Sequence, residues 1–184
     1  MSDDIIIIDY DLCWPDLYRL EENRIFLAIA GEFPIIEHIG STAVPGLAAK
    51  PIIDMMLGLD SLEEVSTVIR SLASIGYHYI AELEAMIPER RFLRKQLDGE
   101  HRCHLHIVAT GSAFWFDHLL FRDILRSTIS VACQYEELKR GLALRYRSNR
   151  EDYTAAKSSF INKVIASARN PQSANPGKIA SDDR

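Results

Sequence analysis

The pattern of apolar and polar positions along the chain predicts short strands that alternate with amphipathic helices. Residues 5–8 form a short apolar run, which is typical of a strand. A helix is predicted to begin at Trp14-Pro15, because proline is favoured at the first helical position, and to end at Gly31. The next stretch, residues 36–57, has the pattern of a strand, a tight turn, a loop of small residues and a second strand.

A second helix is predicted over residues 61–75, where apolar side chains recur at helical spacing. Ser61 and Glu64 have the spacing of a capping box, and Gly76 is placed to end the helix. Residues 77–81 then have the composition of a strand.

A β-hairpin is predicted where Asp98-Gly99 separates two strand-like runs. With a two-residue turn, Leu93 faces His104, and opposed residues project from the same side of the sheet. This register predicts one cationic surface, which consists of Arg91, Lys95, Arg102, His104 and His106. A phosphate-bearing ligand, or Asp54 with a metal ion, would balance its charge. A solvated strand face is an equal alternative for Arg102 and Lys95.

The final third of the chain is predicted to be helical, with helices over residues 112–126, 130–147 and 154–168. From Arg169 onward the chain is rich in Pro, Ser, Asn and Asp, which is typical of a flexible tail. The sequence therefore predicts an α/β (α+β) protein with a mixed β-sheet flanked by helices. We expect residues 1–168 to form one domain and residues 169–184 to form a flexible C-terminal tail.

Composition narrows the class of protein. The chain has 184 residues, 47% of them apolar and 26% charged, as in an ordinary soluble globular domain. A net charge of −5 argues against general nucleic-acid binding. The few, scattered cysteines argue against a disulfide framework. No stretch has the length of a membrane span and no secretory signal is evident, so we expect a cytoplasmic protein that does not bind membranes.

Asp54 is the one acid inside an apolar run that is typical of a strand buried on both faces. A carboxylate there costs several kcal/mol unless it is paired, hydrogen-bonded or bound to a metal. The preceding Gly40-Ser41 turn offers N–H groups and a hydroxyl that could hold a phosphate. It is not a Walker A loop, because no Gly-Lys-Ser/Thr follows it and Lys50 precedes a proline. A structural acid that caps a helix or pairs with an arginine is the alternative.

His104 and His106 are two residues apart on a predicted strand and therefore share one face. Two imidazoles in this arrangement could bind a metal together. Hydrogen-bonded structural histidines are the more common alternative on strands, so zinc is the less favoured ligand here.

The segment 38–47, His-Ile-Gly-Ser-Thr-Ala-Val-Pro-Gly-Leu, and its continuation to Asp54 resemble the signature of the GrpB-like family. That family is assigned to the nucleotidyltransferase superfamily fold. The resemblance covers roughly residues 5–168. It also includes Tyr10, Asp11, Trp14, Pro15, His104, Leu105, His106, residues 118–123, Leu125, Arg126, Tyr153 and Lys157.

The resemblance implies a mixed β-sheet of nucleotidyltransferase type. Enzymes of that superfamily hold phosphate with a Gly-Ser turn and bind Mg²⁺ with two acids, one residue apart on the next strand, and a third acid from a neighbouring strand. Here Gly40-Ser41 and Asp54 match the turn and the first acid. Met56 occupies the position of the second acid and cannot bind a hard cation. No acid lies in the strand at 104–108, so the implied carboxylate set is incomplete.

Two functions of different class follow, and activity itself stays an open question. The first is transfer of a nucleotidyl or phosphoryl group from a nucleoside triphosphate to an unknown acceptor. The second is a module that binds a nucleotide or another phosphorylated small molecule without turnover, in which Asp54 orients a basic residue. A purely structural interaction domain is a third possibility. The sequence does not determine the oligomeric state.

In the first hypothesis, each candidate residue has a distinct role. Asp54, His104 and His106 are the catalytic and metal-binding candidates, with Mg²⁺ or Mn²⁺ preferred over zinc. The phosphate-binding candidates are Gly40, Ser41, Thr42, Lys50, Arg91 and Lys95. The candidates for supporting positions around the site are His38, Arg122 and Lys157.

Overall fold

A computed structural model describes residues 4–29, 34–97 and 102–170. Its strands and helices in chain order are α1 (Trp14–Ala28), β1 (Ile35–Ile39), β2 (Ile52–Leu59), α2 (Val65–Ala73), β3 (His78–Tyr79), β4 (Arg90–Gln96), β5 (Arg102–Ala109), α3 (Ala113–Ser127), α4 (Ile129–Arg145) and α5 (Arg150–Arg169). Short 3₁₀ turns lie at Ser41–Ala43 and Ala81–Leu83.

The five strands form one mixed sheet in the order β1-β2-β5-β4-β3. The central strands β2 and β5 are parallel, and the other neighbouring pairs are antiparallel. The predicted mixed α/β architecture with a helical final third is therefore confirmed. No helix within the described residues is both long and apolar enough to cross a bilayer.

One face of the sheet is covered by α1 and α2 and holds the main apolar core. Trp14 and Ile25 of α1 and Leu72 of α2 are fully buried there, against Met55 of β2 and Leu105 of β5. Burying side chains of this size contributes about 1.5–3 kcal/mol each, so this face is the main source of stability.

The other face of the sheet is only partly covered, by α3. Trp115 of α3 packs there against Ile39, Met56 and Val108. A Cβ at Gly58 would lie 2.7 Å from the Trp115 ring, so only glycine fits beneath it. Helices α4 and α5 pack beside α3 and leave a crevice at the start of β2.

The structure differs from the predictions at residues 5–8 and at the start of α2. Residues 5–8 are not a strand, because their one ladder contact is an isolated bridge between Ile8 and Ala49. The helix α2 begins at Val65, and Ser61 Oγ accepts a hydrogen bond from Glu63 N, 3.1 Å away. The predicted capping box is therefore wrong, since the serine hydroxyl closes a local turn instead.

The predicted register of the β4–β5 hairpin is wrong by one residue. Leu93 faces Leu105 rather than His104, which places two fully buried leucines together. A shift of one residue moves every side chain of a strand to the other face. Arg91 and Lys95 therefore project to the side of Leu93, away from His104, and the predicted cationic surface does not exist. The Asp98-Gly99 turn lies outside the described residues.

Both displaced cations have structural partners. Lys95 lies 2.5 Å from the carboxylate of Glu21, on the α1 side of the sheet. Arg91 pairs with Glu84 at 3.0 Å and donates to the Pro88 carbonyl. These contacts place both side chains away from Asp54. Of the predicted C-terminal tail, residues 171–184 lie outside the described residues.

Candidate functional site

A crevice of about 50 Å³ lies between the turn after β1, the start of β2 and the helices α4 and α5. It contains the acid that the sequence singled out and three lysines. The residues that line it are Ser41, Thr42, Ala49, Lys50, Ile52, Asp54, Lys139, Tyr153 and Lys157.

Gly40 brings the turn against Asp54. Its φ of +71° lies in the left-handed region that favours glycine. A Cβ at this position would lie 2.7 Å from Asp54 Oδ2, closer than such contacts allow. The glycine is therefore required both by the backbone conformation and by the close approach of the carboxylate.

Asp54 pairs with His104 on the neighbouring strand, at 3.2 Å from Oδ1 to Nδ1. Burial acts to raise the pKa of Asp54, but the hydrogen bond from His104 and the charges of His104 and Lys50 together lower it below its ordinary value. The carboxylate is therefore ionised and only accepts, so His104 carries its hydrogen on Nδ1. The Asp54 side chain remains 32% exposed and the His104 side chain 23%.

His106 lies on the same face but in an aromatic layer beside the crevice. Its ring centroid is 5.2 Å from that of Phe92 and 5.7 Å from that of Phe114. Arg90 Nη1 approaches its Nδ1 at 3.5 Å. Burial lowers the pKa of His106 to about 3 against the opposing charge of Asp54, so the ring is neutral.

The three predicted metal ligands do not converge as a set. Among the residues that the structure describes, no group of three or more His, Cys, Asp or Glu side chains is placed to hold a metal. Met56, at the position of the implied second acid, is fully buried in the core beneath Trp115. Asp54 offers an ionised oxygen with access to the crevice.

Lys139 of α4 is the residue that sequence analysis missed. It is 2% exposed, although lysine is rarely buried. Its Nζ donates to Ser41 Oγ at 2.9 Å and to the Ala48 carbonyl, and it lies 5.0 Å from the centre of the Tyr135 ring. The same helix holds Ala48 N through Glu136, at 3.0 Å, so α4 fixes the loop that leads to Lys50.

Two more lysines lie over the ring of Tyr153 on α5. Lys157 Nζ is 4.5 Å and Lys50 Nζ is 5.1 Å from the ring centre. Burial and the nearby Lys50 lower the pKa of Lys157 to about 8, against the opposing effect of Asp54. The aromatic face stabilises both ammonium groups, and Asp54 is the one carboxylate among the described residues that line the crevice. The crevice therefore carries excess positive charge.

Thr42 and His38 form a hydrogen-bonded support beneath the turn. Thr42 Oγ1 donates to the Ile52 carbonyl at 3.0 Å, which uses its one hydroxyl hydrogen. His38 Nε2, also 3.0 Å from Thr42 Oγ1, must therefore donate. Burial lowers the pKa of His38 to about 4. This pair fixes the turn and leaves Thr42 less free than Ser41 to bind a ligand.

Arg122 lies away from the crevice. Its Nη1 pairs with Glu37 at 2.5 Å and donates to the His38 carbonyl at 3.1 Å. Arg126, one turn later, donates to the Ala43 carbonyl at 2.9 Å. Together they attach α3 to β1 and to the turn that follows it. Arg122 therefore holds these elements in place without lining the crevice.

A larger hollow, of about 490 Å³, lies at the other end of β2. Asp60, Glu63 and Glu64 line it, and the other described residues of its wall are apolar or neutral. Its acidic wall would repel phosphate. The smaller crevice is therefore the better candidate for an anionic ligand, despite its size.

The fold and the site define a mixed α/β protein with a cationic crevice beside one ionised acid. A family model described as GrpB protein matches residues 4–167. The chain belongs to the GrpB family.

Several relatives support this assignment. The glutamate-rich protein GrpB of Alkalihalophilus pseudofirmus is 30% identical over 166 residues, covering 88% of this chain and 94% of that protein. A UPF0157 protein of Streptomyces coelicolor is 35% identical over 165 residues, covering 90% of this chain and 84% of that protein. The crystal structure of the conserved protein GrpB from Enterococcus faecalis superposes with a TM-score of 0.79 at 32% identity, covering 91% of this chain and 99% of that one.

The chain also has weaker similarity to two enzymes. A dephospho-CoA kinase of Mycolicibacterium paratuberculosis is 26% identical over 177 residues, which is 84% of this chain but 44% of that protein. The structure of a cytoplasmic RNA terminal U-transferase matches with a TM-score of 0.40 at 12% identity.

Proposed function

We propose that the protein binds a phosphorylated small molecule in the crevice, with a nucleoside triphosphate as the first candidate. The observation that carries this proposal is the convergence of Lys50, Lys139 and Lys157 around one carboxylate. Positive charges gathered in one crevice repel one another, and a phosphate would offset this repulsion. Ser41 adds a hydroxyl on the turn at the crevice wall.

We further propose that the bound ligand donates a nucleotidyl or phosphoryl group, as the resemblance to nucleotidyltransferases implies. Mg²⁺ is commonly bound by one or two carboxylates together with substrate phosphates. Asp54, which is ionised and partly exposed, fits that role, and Mg²⁺ or Mn²⁺ would offset phosphate charge there. In this proposal the His104 imidazole, which Asp54 orients, would take a proton from an acceptor.

Binding without turnover is the second candidate, and the Asp54–His104 contact favours it. In that hypothesis Asp54 orients a basic residue rather than a metal, and its Oδ1 lies 3.2 Å from His104 Nδ1. The two candidates therefore differ in what Asp54 does when the ligand is bound.

Titration calorimetry with ATP, GTP, CoA and dephospho-CoA, with and without Mg²⁺ or Mn²⁺, separates these candidates. The two CoA compounds are included because of the similarity to a dephospho-CoA kinase. Metal-dependent binding that Asp54→Asn removes supports transfer, whereas metal-independent binding that survives Asp54→Asn supports the module. Asp60→Asn, at an exposed acid outside the crevice, is the matched control. Absence of binding by every compound would reject both.

A further inference from the structure

Lys139 is a buried amine whose close partners are all neutral. They are the Ser41 hydroxyl, the Ala48 carbonyl and the face of the Tyr135 ring. The carboxylate of Glu136, one turn earlier, is occupied by Ala48 N and Arg140. Buried cations normally have an acid as partner, so structural stability alone gives no reason for a lysine here.

Ser41 is placed where such an amine would matter. It is the first residue of the 3₁₀ turn that follows Gly40, and it lines the crevice with Asp54. Its Oγ is 2.9 Å from Lys139 Nζ. A nucleophile within hydrogen-bond reach of a base, which a third group orients, is the arrangement that activates serine in enzymes.

We propose that Ser41 is a nucleophile, that Lys139 is its general base, and that Ser41 Oγ takes a phosphoryl group from the ligand in the crevice. The phosphoryl step rests on the proposed function, whereas the activation of Ser41 does not. The Ala48 carbonyl and the Tyr135 ring hold the amine in place for this role.

The step balances without any further reactant. The neutral amine of Lys139 takes the hydroxyl proton of Ser41 while the Ser41 Oγ–P bond forms. The bond between that phosphorus and its leaving oxygen breaks, and the leaving group, a nucleoside diphosphate when ATP is the donor, departs with the bonding electron pair. Lys139 is then an ammonium beside the new phosphoserine dianion.

The electrostatics of the pair agree with this role. Burial, reinforced by Lys157, lowers the pKa of Lys139 to about 7, so a large fraction is neutral near neutral pH. The charged groups that face Lys139 are Lys157 from α5 and, on its own helix, Glu136 and Arg140. Glu136 acts in the opposite direction but is outweighed. Buried lysines are used as bases in enzymes for this reason.

The test is reaction of the full chain with methanesulfonyl fluoride, a small electrophile that labels activated serines, followed by peptide mass spectrometry. The Ser41 Oγ–S bond forms, the S–F bond breaks, fluoride leaves and the proton passes to Lys139. We expect labelling at Ser41, with a rate that rises as pH increases through about 7 and then levels off.

The variants separate a base from a structural lysine. Lys139→Met and Lys139→Arg should label at least ~100-fold more slowly, since neither side chain can take the proton. Lys163→Met, at an exposed lysine of α5, should label at the wild-type rate. Equal rates in wild type and Lys139→Met, or no label on Ser41, would overturn the proposal. If Lys139→Met does not fold, a wild-type rate that is flat between pH 6 and 9 has the same consequence.

Incubation with ATP and Mg²⁺ tests the phosphoryl step. We expect a phosphate ester on Ser41 that is absent from Ser41→Ala and Lys139→Met. Sulfonylation without phosphorylation, in a protein that binds ATP by calorimetry, would reject the phosphoryl step and keep the proposed function. Sulfonylation in a protein that binds none of the phosphorylated ligands would instead reject the proposed function and keep the activated serine.

Discussion

The two faces of the sheet each carry an acid paired with a base, but the pairs differ in their surroundings. On the α1 side, Glu21 is 1% exposed and binds Lys95 and Arg24 through its two oxygens. On the other side, Asp54 is 32% exposed and pairs with His104. The first pair is closed and satisfied, and the second faces a crevice.

The balance of positive and negative charge also differs between the Glu21 side and the Asp54 side of the sheet. Around Glu21 the cations are matched by a buried carboxylate within the core, whereas around Asp54 three lysines line a crevice with one acid. We infer that the Glu21 pair stabilises the fold and that the Asp54 region is kept for a ligand. The experiments below test this contrast, beginning with the largest expected effect.

Loss of Glu21 should be the most damaging change. Glu21→Ala leaves Lys95 largely buried without its acid, and removal of one partner from a buried pair costs about 3–5 kcal/mol. Urea denaturation measures the free energy of unfolding. Glu63→Ala, at an exposed acid, should change it by less than about 0.5 kcal/mol. An equal loss of unfolding free energy in both variants would contradict the claim that the Glu21 pair stabilises the fold.

Gly40→Ala should cost more than Gly46→Ala. Both glycines have positive φ, at +71° and +81°, so both substitutions strain the backbone by about 1–3 kcal/mol. A Cβ at Gly40 also meets Asp54 Oδ2 at 2.7 Å, whereas nothing lies within 4 Å of one at Gly46. We expect a larger loss of stability and of ATP affinity for Gly40→Ala. Similar ATP affinities in the two folded variants would contradict this account of the turn.

Lys139 should make stability depend on pH. Its folded-state pKa of about 7 is below its ordinary value of 10.5, so the unfolded chain binds more protons between these limits. Stability should therefore increase as pH rises from 7, with a slope of up to about 1.4 kcal/mol per pH unit from this group. The difference in unfolding free energy between wild type and Lys139→Met isolates the effect. A difference that is constant from pH 6.5 to 8.5 would contradict it.

Asp54→Asn should have the smallest effect on stability. The amide oxygen can still accept from His104, and a partly exposed pair contributes about 0–1 kcal/mol. Chemical denaturation should therefore show a loss below about 1 kcal/mol. The hypothesis of a purely structural domain instead predicts that Asp54→Leu is more stable than wild type. A lower melting temperature for Asp54→Leu would count against that hypothesis.

Much of the fold follows from local sequence patterns. The helix that begins at Trp14-Pro15 and the strand around Asp54 are where periodicity and proline chemistry predict them. The predicted β4–β5 register is wrong because the Asp98-Gly99 pair indicates which strands are neighbours but does not determine the number of residues in the loop. Burial of Leu93 against Leu105 determines the register, and that is a tertiary effect.

The site was only partly predictable for a related reason. Asp54 can be identified from the sequence because a carboxylate is costly to bury in an apolar strand and therefore needs a partner or a ligand. Lys139 gave no such signal, since a lysine in a polar helix is normally solvated, and only the packing of α4 on the Ser41 turn buries it. Its distance from the turn in sequence, 98 residues, removes any local pattern that could reveal the contact.

The most direct test of the central claim is the affinity for ATP of two matched lysine variants, measured by calorimetry at pH 7. Lys157→Met removes an ammonium group that lines the crevice, whereas Lys163→Met removes an exposed one on the same helix. We predict at least a tenfold loss of affinity for Lys157→Met and no change for Lys163→Met. Equal affinities for the two variants, or no binding of ATP by the wild-type protein, would contradict the account.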